Sequence, residues 1–195
     1  MTRHELTHAD IMPMDKYVKV RTERRRAVTE LKKNRRLVVG PDTTFYFECF
    51  ETMWHQAHEM LYIEGGGDAQ IADELAAYNP LIPKGNELVA TLMFEIDDAK
   101  RRGRILAELG GVEETVTLHV DDETITAVPE DDVERTSSKG KASSIHFLHF
   151  PFTPGQVEKF CRSGAAVIVG IGHEKYGHMA AMPESVRQAL AGDFD

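Results

Sequence analysis

The stretch TVTLHVDDETITAV, residues 115–128, decides the fold class. Apolar and polar residues alternate on either side of an acidic centre, which is typical of two half-buried strands. Asp121, Asp122 and Glu123 lie between the two alternating segments and predict a hairpin turn. We therefore expect these residues to form an antiparallel pair of strands.

Further strand patterns precede and follow this hairpin. They cover residues 37–39, 43–49, 88–96, 144–152 and 165–171. Most of them arrive without the regular helical crossovers that a parallel sheet needs. The expected fold is α+β, with a mostly antiparallel sheet, helices packed on one face, and an N-terminal portion made of helices and a hairpin.

Apolar residues at intervals of three and four predict amphipathic helices over residues 14–34 and 51–64. A length of 195 residues suits one folded unit with one core. We expect a single domain over residues 1–195, although residues 1–84 and 85–195 could be semi-independent halves.

Composition and motifs limit the compartments and the cofactors that can be expected for this protein. No apolar run reaches the roughly 18 residues that span a bilayer, and the start MTRHELTHAD lacks the apolar core of a signal peptide. We expect a cytoplasmic protein without membrane contact, which could form oligomers. The sequence has neither a phosphate-binding loop nor a dinucleotide fingerprint, so no nucleotide cofactor is expected.

Charge is distributed unevenly along the chain. Residues 16–36 hold ten Lys/Arg and two acids, a net charge of +8, whereas the other residues hold 13 basic and 30 acidic side chains, a net charge of −17. The predicted first helix could bind an acidic partner or an anionic ligand, or neutralise acidic segments of its own chain. A pI near 5.5 disfavours nucleic acid. The candidate basic residues are Arg24, Arg25, Arg26, Lys32, Lys33, Arg35 and Arg36.

The helix predicted over residues 51–64 carries imidazoles and a carboxylate along one face. His55, His58 and Glu59 could supply nitrogen and oxygen ligands to iron, manganese or zinc. The same pattern also fits the solvated face of an amphipathic helix. Gln56 on this helix and Glu48 just before it are candidate members of a neighbouring pocket.

A second candidate site follows the last buried strand, in the predicted loop GHEKYGH at residues 172–178. His173 and His178 are candidate metal ligands, and His173 and Tyr176 are candidate acid and base groups near neutral pH. His146 shares a strand face with apolar residues, which favours a hydrogen-bonded core histidine, and it remains a candidate third ligand.

Five strings carry a family resemblance: KKNRRLVVG (32–40), ETMWHQAHEMLYIE (51–64), ELAAYNPLIPKGNELVATLMFEI (74–96), SSIHFLHF (143–150) and GHEKYGHMAAMPESVRQALAGDF (172–194). Together they resemble a bacterial family known as domain of unknown function 3501. The resemblance implies a small companion of rubrerythrin-like and iron–sulfur oxidoreductase proteins, and hence redox or metal chemistry.

Three hypotheses about function follow from these observations. The first is a metal-associated accessory protein in redox chemistry or oxidative stress, which holds iron, manganese or zinc and works with a rubrerythrin-like or iron–sulfur oxidoreductase partner. The second is a non-catalytic binding subunit that docks an acidic partner through its basic helix. The third is a metal-free enzyme that uses acid and base groups on an anionic substrate.

Overall fold

The computed structural model describes residues 3–130 and 140–195. Within these ranges the chain forms six α-helices and nine strands. The helices are α1 (Met14–Lys33), α2 (Phe50–Glu64), α3 (Asp68–Tyr78), α4 (Ala99–Ala107), α5 (Pro154–Cys161) and α6 (Glu184–Ala191). The strands are β1 (Arg36–Val39), β2 (Thr43–Phe47), β3 (Glu87–Phe94), β4 (Val116–Val120), β5 (Glu123–Thr126), β6 (Val128–Pro129), β7 (Ile145–Pro151), β8 (Val167–His173) and β9 (Tyr176–Ala181).

The strands form two antiparallel sheets, where the sequence suggested one. Their orders are β1-β2-β3-β7-β6 and β5-β4-β8-β9, so the α+β class and its antiparallel pairing are confirmed. Strand patterns alone could not tell that β7 pairs with β3, with Leu148 opposite Ala90. Strands β1 and β2, which precede residue 84, share their sheet with β3 and β7, which follow it.

The hairpin expected over residues 115–128 is confirmed. Val120 of β4 lies opposite Glu123 of β5, so Asp121 and Asp122 form the turn. Asp121 has a φ of 51°, a left-handed conformation that aspartate tolerates better than most residues. The side chain of Asp121 also accepts a hydrogen bond from the backbone N–H of Ala166 (3.1 Å), which holds the turn against the start of β8.

The two sheets enclose the main apolar core. Alternate residues of most strands point inward, and α4, α5 and α6 add further apolar side chains. Burial of such side chains is the main source of stability, at about 25 cal/mol per Å². Fully buried members include Phe45, Phe47, Leu92, Leu118, Phe150 and Val169.

A second, smaller core lies on the outer face of the first sheet, beneath α2. It contains Leu6, Met53, Ala57, Leu81, Ile82 and Val89. Because side chains alternate along β2, the residues between its core positions face this outer side. Helix α2 covers part of the outer face, and a cleft remains beside it.

A buried arginine joins α1, the first sheet and the C-terminal segment. Arg35 is only 4% exposed. Its guanidinium donates to the carbonyls of Phe47 (3.0 Å) and Glu48 (2.9 Å) and to the carboxylate of Asp193 (3.1 Å). Its backbone N–H donates to the carbonyl of Lys32 in the last turn of α1 (3.2 Å). Arg35 therefore does not contribute to the exposed basic stripe expected from the sequence, because its charge is neutralised inside the protein.

Replacement of Arg35 by alanine should lower the free energy of unfolding by about 3–5 kcal/mol, the usual cost of breaking a buried ion pair. Asp193 would remain buried without its counter-ion, and the carbonyls of Phe47 and Glu48 would lose a donor. Chemical denaturation measures the loss. Arg36→Ala is the matched control: this neighbour is exposed, and its removal should cost less than about 0.5 kcal/mol. Equal losses in the two variants would contradict this role.

His149 lies between two carboxylates on the outer face of the first sheet. Its Nδ1 is 2.9 Å from Oε2 of Glu87, and its Nε2 is 2.7 Å from Oε1 of Glu130. Ionised carboxylates can only accept, so both ring nitrogens donate and the ring carries a positive charge. The bond to Glu87, with that to Glu130, raises the pKa of His149 against the opposing effect of burial.

This arrangement predicts a pH dependence of stability. The pKa of an unfolded histidine is about 6.5, and the native pKa of His149 is higher. Its stabilisation is therefore complete below about pH 6.5 and is lost as the pH rises through the native pKa. Over that interval the free energy of unfolding should fall more steeply in the wild type than in His149→Gln, as measured by denaturation at a series of pH values. His8→Gln, at an exposed position, should show the same pH profile as the wild type. A His149→Gln profile parallel to that of the wild type would contradict this prediction.

Candidate functional site

The imidazole of His58 is a structural group of α2. This side chain is fully buried. Its Nε2 accepts the backbone N–H of Met12 (2.9 Å), and its Nδ1 lies 2.7 Å from the carbonyl of Trp54. The ring is therefore neutral with its proton on Nδ1, and burial lowers its pKa. Because both nitrogens bond to backbone, His58 ties the N-terminal segment to α2 and has no nitrogen left for a metal.

Glu59 joins α2 to α1. Its carboxylate accepts from the hydroxyl of Tyr17 (2.7 Å) and from both Nε (2.8 Å) and Nη2 (2.7 Å) of Arg21. The bonds from Arg21, with that from Tyr17, lower the pKa of Glu59 to about 2. His55 lies beside this group, 3.3 Å from the Tyr17 hydroxyl, and burial lowers its pKa. The polar face of α2 thus packs against α1.

The predicted loop at residues 172–178 is a tight hairpin between β8 and β9. His173 pairs with Tyr176, so Glu174 and Lys175 form the turn. The backbone N–H of Lys175 donates to Nδ1 of His173 (3.2 Å). The alternation of β9 was hidden in the sequence by its small residues, and the strand extends to Ala181.

Tyr176 and His178 attach β9 to the turn between β1 and β2. The hydroxyl of Tyr176 donates to the carbonyl of Val39 (3.2 Å) and accepts from the backbone N–H of Asp42 (2.9 Å). Burial raises its pKa. His178 packs edge-on against this ring, at 4.5 Å between centroids. Gly40 lies so close that a Cβ there would be 2.6 Å from Cγ of His178, and its φ of 73° also favours glycine.

His146 lies in the main core and has no exposed surface. Its Nε2 is 3.0 Å from the carbonyl of Ser143, and its Nδ1 is 3.5 Å from Oε2 of Glu113. Across residues 3–130 and 140–195, no three His, Cys, Asp or Glu side chains are grouped so that they could hold a metal ion. The side chains expected to bind iron, manganese or zinc do not fit such a site in the described part of the chain.

The basic residues of the N-terminal third have different environments. Arg24, Arg25 and Arg26 are exposed on α1, as is Arg36 on β1. Lys33 is exposed and pairs with Glu30 (2.7 Å) in the same helix. Lys32 is half-buried and lines the cleft beside α2. The exposed stripe is therefore shorter than the sequence suggested.

A larger groove of about 560 Å³ lies between α1, α2 and the N-terminal segment. Two arginines stack on aromatic rings at its walls. The guanidinium of Arg3 lies 4.0 Å from the ring centre of Phe50, and that of Arg24 lies 5.1 Å from that of Trp54. Such stacking orients a guanidinium while leaving its edge available to a carboxylate. The Arg3 guanidinium already bonds to the carboxylate of Asp10 in this way.

Glu48 follows β2 directly and continues its pairing, because its backbone N–H donates to the carbonyl of Val89 (2.8 Å). The side chain is buried on the outer face, with 5% of the residue exposed. Oε1 accepts from the hydroxyl of Thr91 (2.7 Å). Oε2 is fully buried and has no hydrogen-bond donor within the described residues. Buried polar atoms are nearly always paired, so an exception marks a place to look for a ligand.

Glu48 lines a cleft of about 340 Å³ between the outer face of the first sheet and the helices. The C-terminal end of α1, the side of α2 and the segment after α3 form one wall, and strands β2, β3 and β7 form the other. Its polar lining residues are Lys32, Tyr46, Glu48, Gln56, Tyr78 and Thr91. Its apolar lining residues are Met53, Leu81, Met93, Ile145 and Phe147.

The sequence had pointed to Glu48 and Gln56 as pocket members, and both line this cleft. It had placed Lys32 on the exposed stripe, and it missed Tyr46 and Thr91 altogether. Strand parity was the available signal, because Tyr46 in β2 and Glu48 just after it alternate with the core residues Phe45 and Phe47. The position of Thr91 depends on the pairing between β2 and β3, which sequence patterns do not specify.

Comparisons with known proteins agree with this fold. The model of the family described as "Protein of unknown function (DUF3501)" matches residues 5–194. A crystal structure at 1.90 Å resolution of a novel protein of unknown function from Burkholderia pseudomallei is similar to this one, with a TM-score of 0.91. That protein is 37% identical, and the match covers 100% of both chains.

No curated protein matches this sequence. Among the described residues, every helix is too short or too polar to cross a bilayer. The family match covers almost the whole chain, and the similar crystal structure has the same fold throughout. The chain therefore belongs to the DUF3501 family of proteins of unknown function.

Proposed function

We propose that this protein binds a small molecule through a protonated amine, which donates a hydrogen bond to Oε2 of Glu48. One observation carries the proposal: Glu48 lines a cleft, and its buried Oε2 has no donor anywhere in residues 3–130 and 140–195. A buried polar atom without a partner costs about 1–3 kcal/mol, and more when it is charged. Local costs of this kind are expected mainly at functional sites.

An ammonium group suits this oxygen because an ionised carboxylate is negative and can only accept. Charge-assisted hydrogen bonds are roughly twice as strong as neutral ones. The apolar part of the ligand would pack on Phe147 and Met93, which line the same cleft. A volume of about 340 Å³ is at the small end of ligand pockets, which span roughly 300–1,000 Å³. The ligand is therefore about the size of an amino acid.

Thermal denaturation with simple primary amines tests the proposal. In an amine-free buffer, isoamylamine or 2-phenylethylamine should raise the Tm of the wild type in proportion to its binding. Glu48→Gln keeps an acceptor for the Thr91 hydroxyl and removes the negative charge. This variant should lose most of the increase in Tm.

Glu95→Gln is the matched control for this experiment. Glu95 is an exposed carboxylate beyond the end of β3, bonded to the hydroxyls of Thr44 and Tyr46. This control should respond to amines as the wild type does. Without ligand, Glu48→Gln should unfold at a Tm no lower than that of the wild type, because it removes a buried charge. Equal responses of wild type and Glu48→Gln, or no response to any amine, would refute the proposal.

The other hypotheses stay predictions. A redox role beside a rubrerythrin-like or iron–sulfur oxidoreductase partner is implied by the family resemblance and is independent of the cleft. An acid and base role for His173 and Tyr176 would have to release the Tyr176 hydroxyl from the Val39 carbonyl and the Asp42 backbone N–H.

Docking of an acidic partner on α1 is a second candidate function. The observation that favours it is the guanidinium of Arg24, which stacks on Trp54 beside exposed Arg25 and Arg26 and has no ion pair within the described residues. Glutamate at all three arginine positions should abolish co-purification of such a partner, and the amine response at Glu48 should remain. Co-purification that survives the triple charge reversal would exclude docking through this stripe.

A further inference from the structure

We infer that the cleft recognises a zwitterion, an α-amino acid with an apolar side chain, whose ammonium group bonds to Glu48 and whose carboxylate bonds to Lys32. This inference rests on the proposed function of the cleft as an ammonium site. It adds the class of ligand and a second residue that determines specificity.

Two residues of opposite charge line the cleft, and no ion pair joins them. The Lys32 ammonium has no carboxylate within 4.0 Å in the part of the chain that the structure describes, and Glu48 is a lining residue of the same cleft. Flexible lysines readily reach a nearby carboxylate, so the lack of an ion pair between Lys32 and Glu48 implies that the scaffold keeps them apart. A ligand that carries both charges can neutralise both at once.

The scaffold fixes the backbone positions of both residues. The backbone N–H of Arg35 donates to the carbonyl of Lys32 (3.2 Å), and its guanidinium donates to the carbonyl of Glu48 (2.9 Å). The guanidinium is in turn held by the buried carboxylate of Asp193. The separation of the two charge-bearing residues is therefore set by a rigid and buried group.

The remaining walls suit an apolar side chain. Ile145 and Phe147 of β7 and Met93 of β3 lie on the strand side, and Met53 lies on the α2 side. Methionine side chains adapt to irregular shapes, so several apolar ligand side chains could pack there. A few polar groups that orient a ligand among apolar walls are typical of small-molecule sites.

A zwitterion should bind more tightly than either of its singly charged relatives. A simple amine bonds to Glu48, but its positive charge is repelled by the Lys32 ammonium. A simple carboxylate bonds to Lys32, but its negative charge is repelled by the Glu48 carboxylate. A hydrogen bond to a charged group usually contributes enough to change affinity by about tenfold or more. Removal of one charged group from the ligand should therefore cost at least about tenfold in affinity.

Isothermal titration calorimetry on the full chain, with matched ligands, tests this inference. The probes are leucine, methionine and phenylalanine, each compared with the amine that lacks the carboxylate and the acid that lacks the amine. For phenylalanine these are 2-phenylethylamine and 3-phenylpropanoate. The wild type should bind at least one amino acid about tenfold more tightly than both of its relatives.

Two lysine variants separate the contribution of Lys32 from general charge effects. Lys32→Met removes the charge and keeps most of the length, and it should reduce amino-acid affinity to that of the corresponding amine. Amine binding should be unchanged or tighter in Lys32→Met. Lys33→Met, at the exposed neighbour that pairs with Glu30, is the matched control and should behave as the wild type.

The outcomes distinguish this inference from the proposed function. Amines that bind in a Glu48-dependent way, with amino acids no tighter and Lys32→Met without effect, would overturn the inference and leave the ammonium site intact. Binding of 3-phenylpropanoate alone, lost in Lys32→Met, would overturn both in favour of an anion site. Amines and amino acids that all fail to bind would also overturn both.

Discussion

The buried guanidinium of Arg35 is the interaction on which the rest of this structure depends. It bonds to the carbonyls of Phe47 and Glu48, where β2 turns into α2, and to the carboxylate of Asp193 near the C-terminus. Its backbone N–H bonds to the end of α1. Removal of a guanidinium from water is favourable only when its donors are satisfied, and here a carboxylate and two carbonyls satisfy them. One residue thus links the basic helix, the first sheet and the C-terminal segment.

The contrast between Glu48 and Glu59 indicates where function resides. Glu59 accepts from the Tyr17 hydroxyl and from two nitrogens of Arg21, so its charge is fully used in joining two helices. Glu48 accepts from the Thr91 hydroxyl alone among the described side chains, although it is more deeply buried. A glutamate therefore joins two helices at position 59, whereas at position 48 it keeps one acceptor oxygen without a donor among the described residues. Unmet hydrogen-bonding capacity, rather than residue type, identifies the candidate site.

The difference between residue type and the contacts made in the fold also explains how far the sequence could predict the structure. Alternation over residues 115–128 predicted the hairpin correctly, and strand parity correctly put the side chain of His146 on a strand face with Leu148 and Phe150. Local patterns do not encode which strands pair over long distances, so the second sheet was not foreseen. Arg35 and Arg36 are adjacent and chemically identical, yet one is buried and the other exposed.

The candidate site was hard to predict for the same reason. Histidines suggested a site because their chemistry is versatile, whereas the bonds of His58 to backbone groups depend on tertiary contacts.

The most direct measurement is a crystal structure of the protein grown with a saturating apolar amino acid. We expect the ligand ammonium at about 3 Å from Oε2 of Glu48, with the ligand carboxylate towards Lys32. A structure in which the Lys32 ammonium itself bonds to that oxygen, and the cleft excludes the ligand, would contradict it.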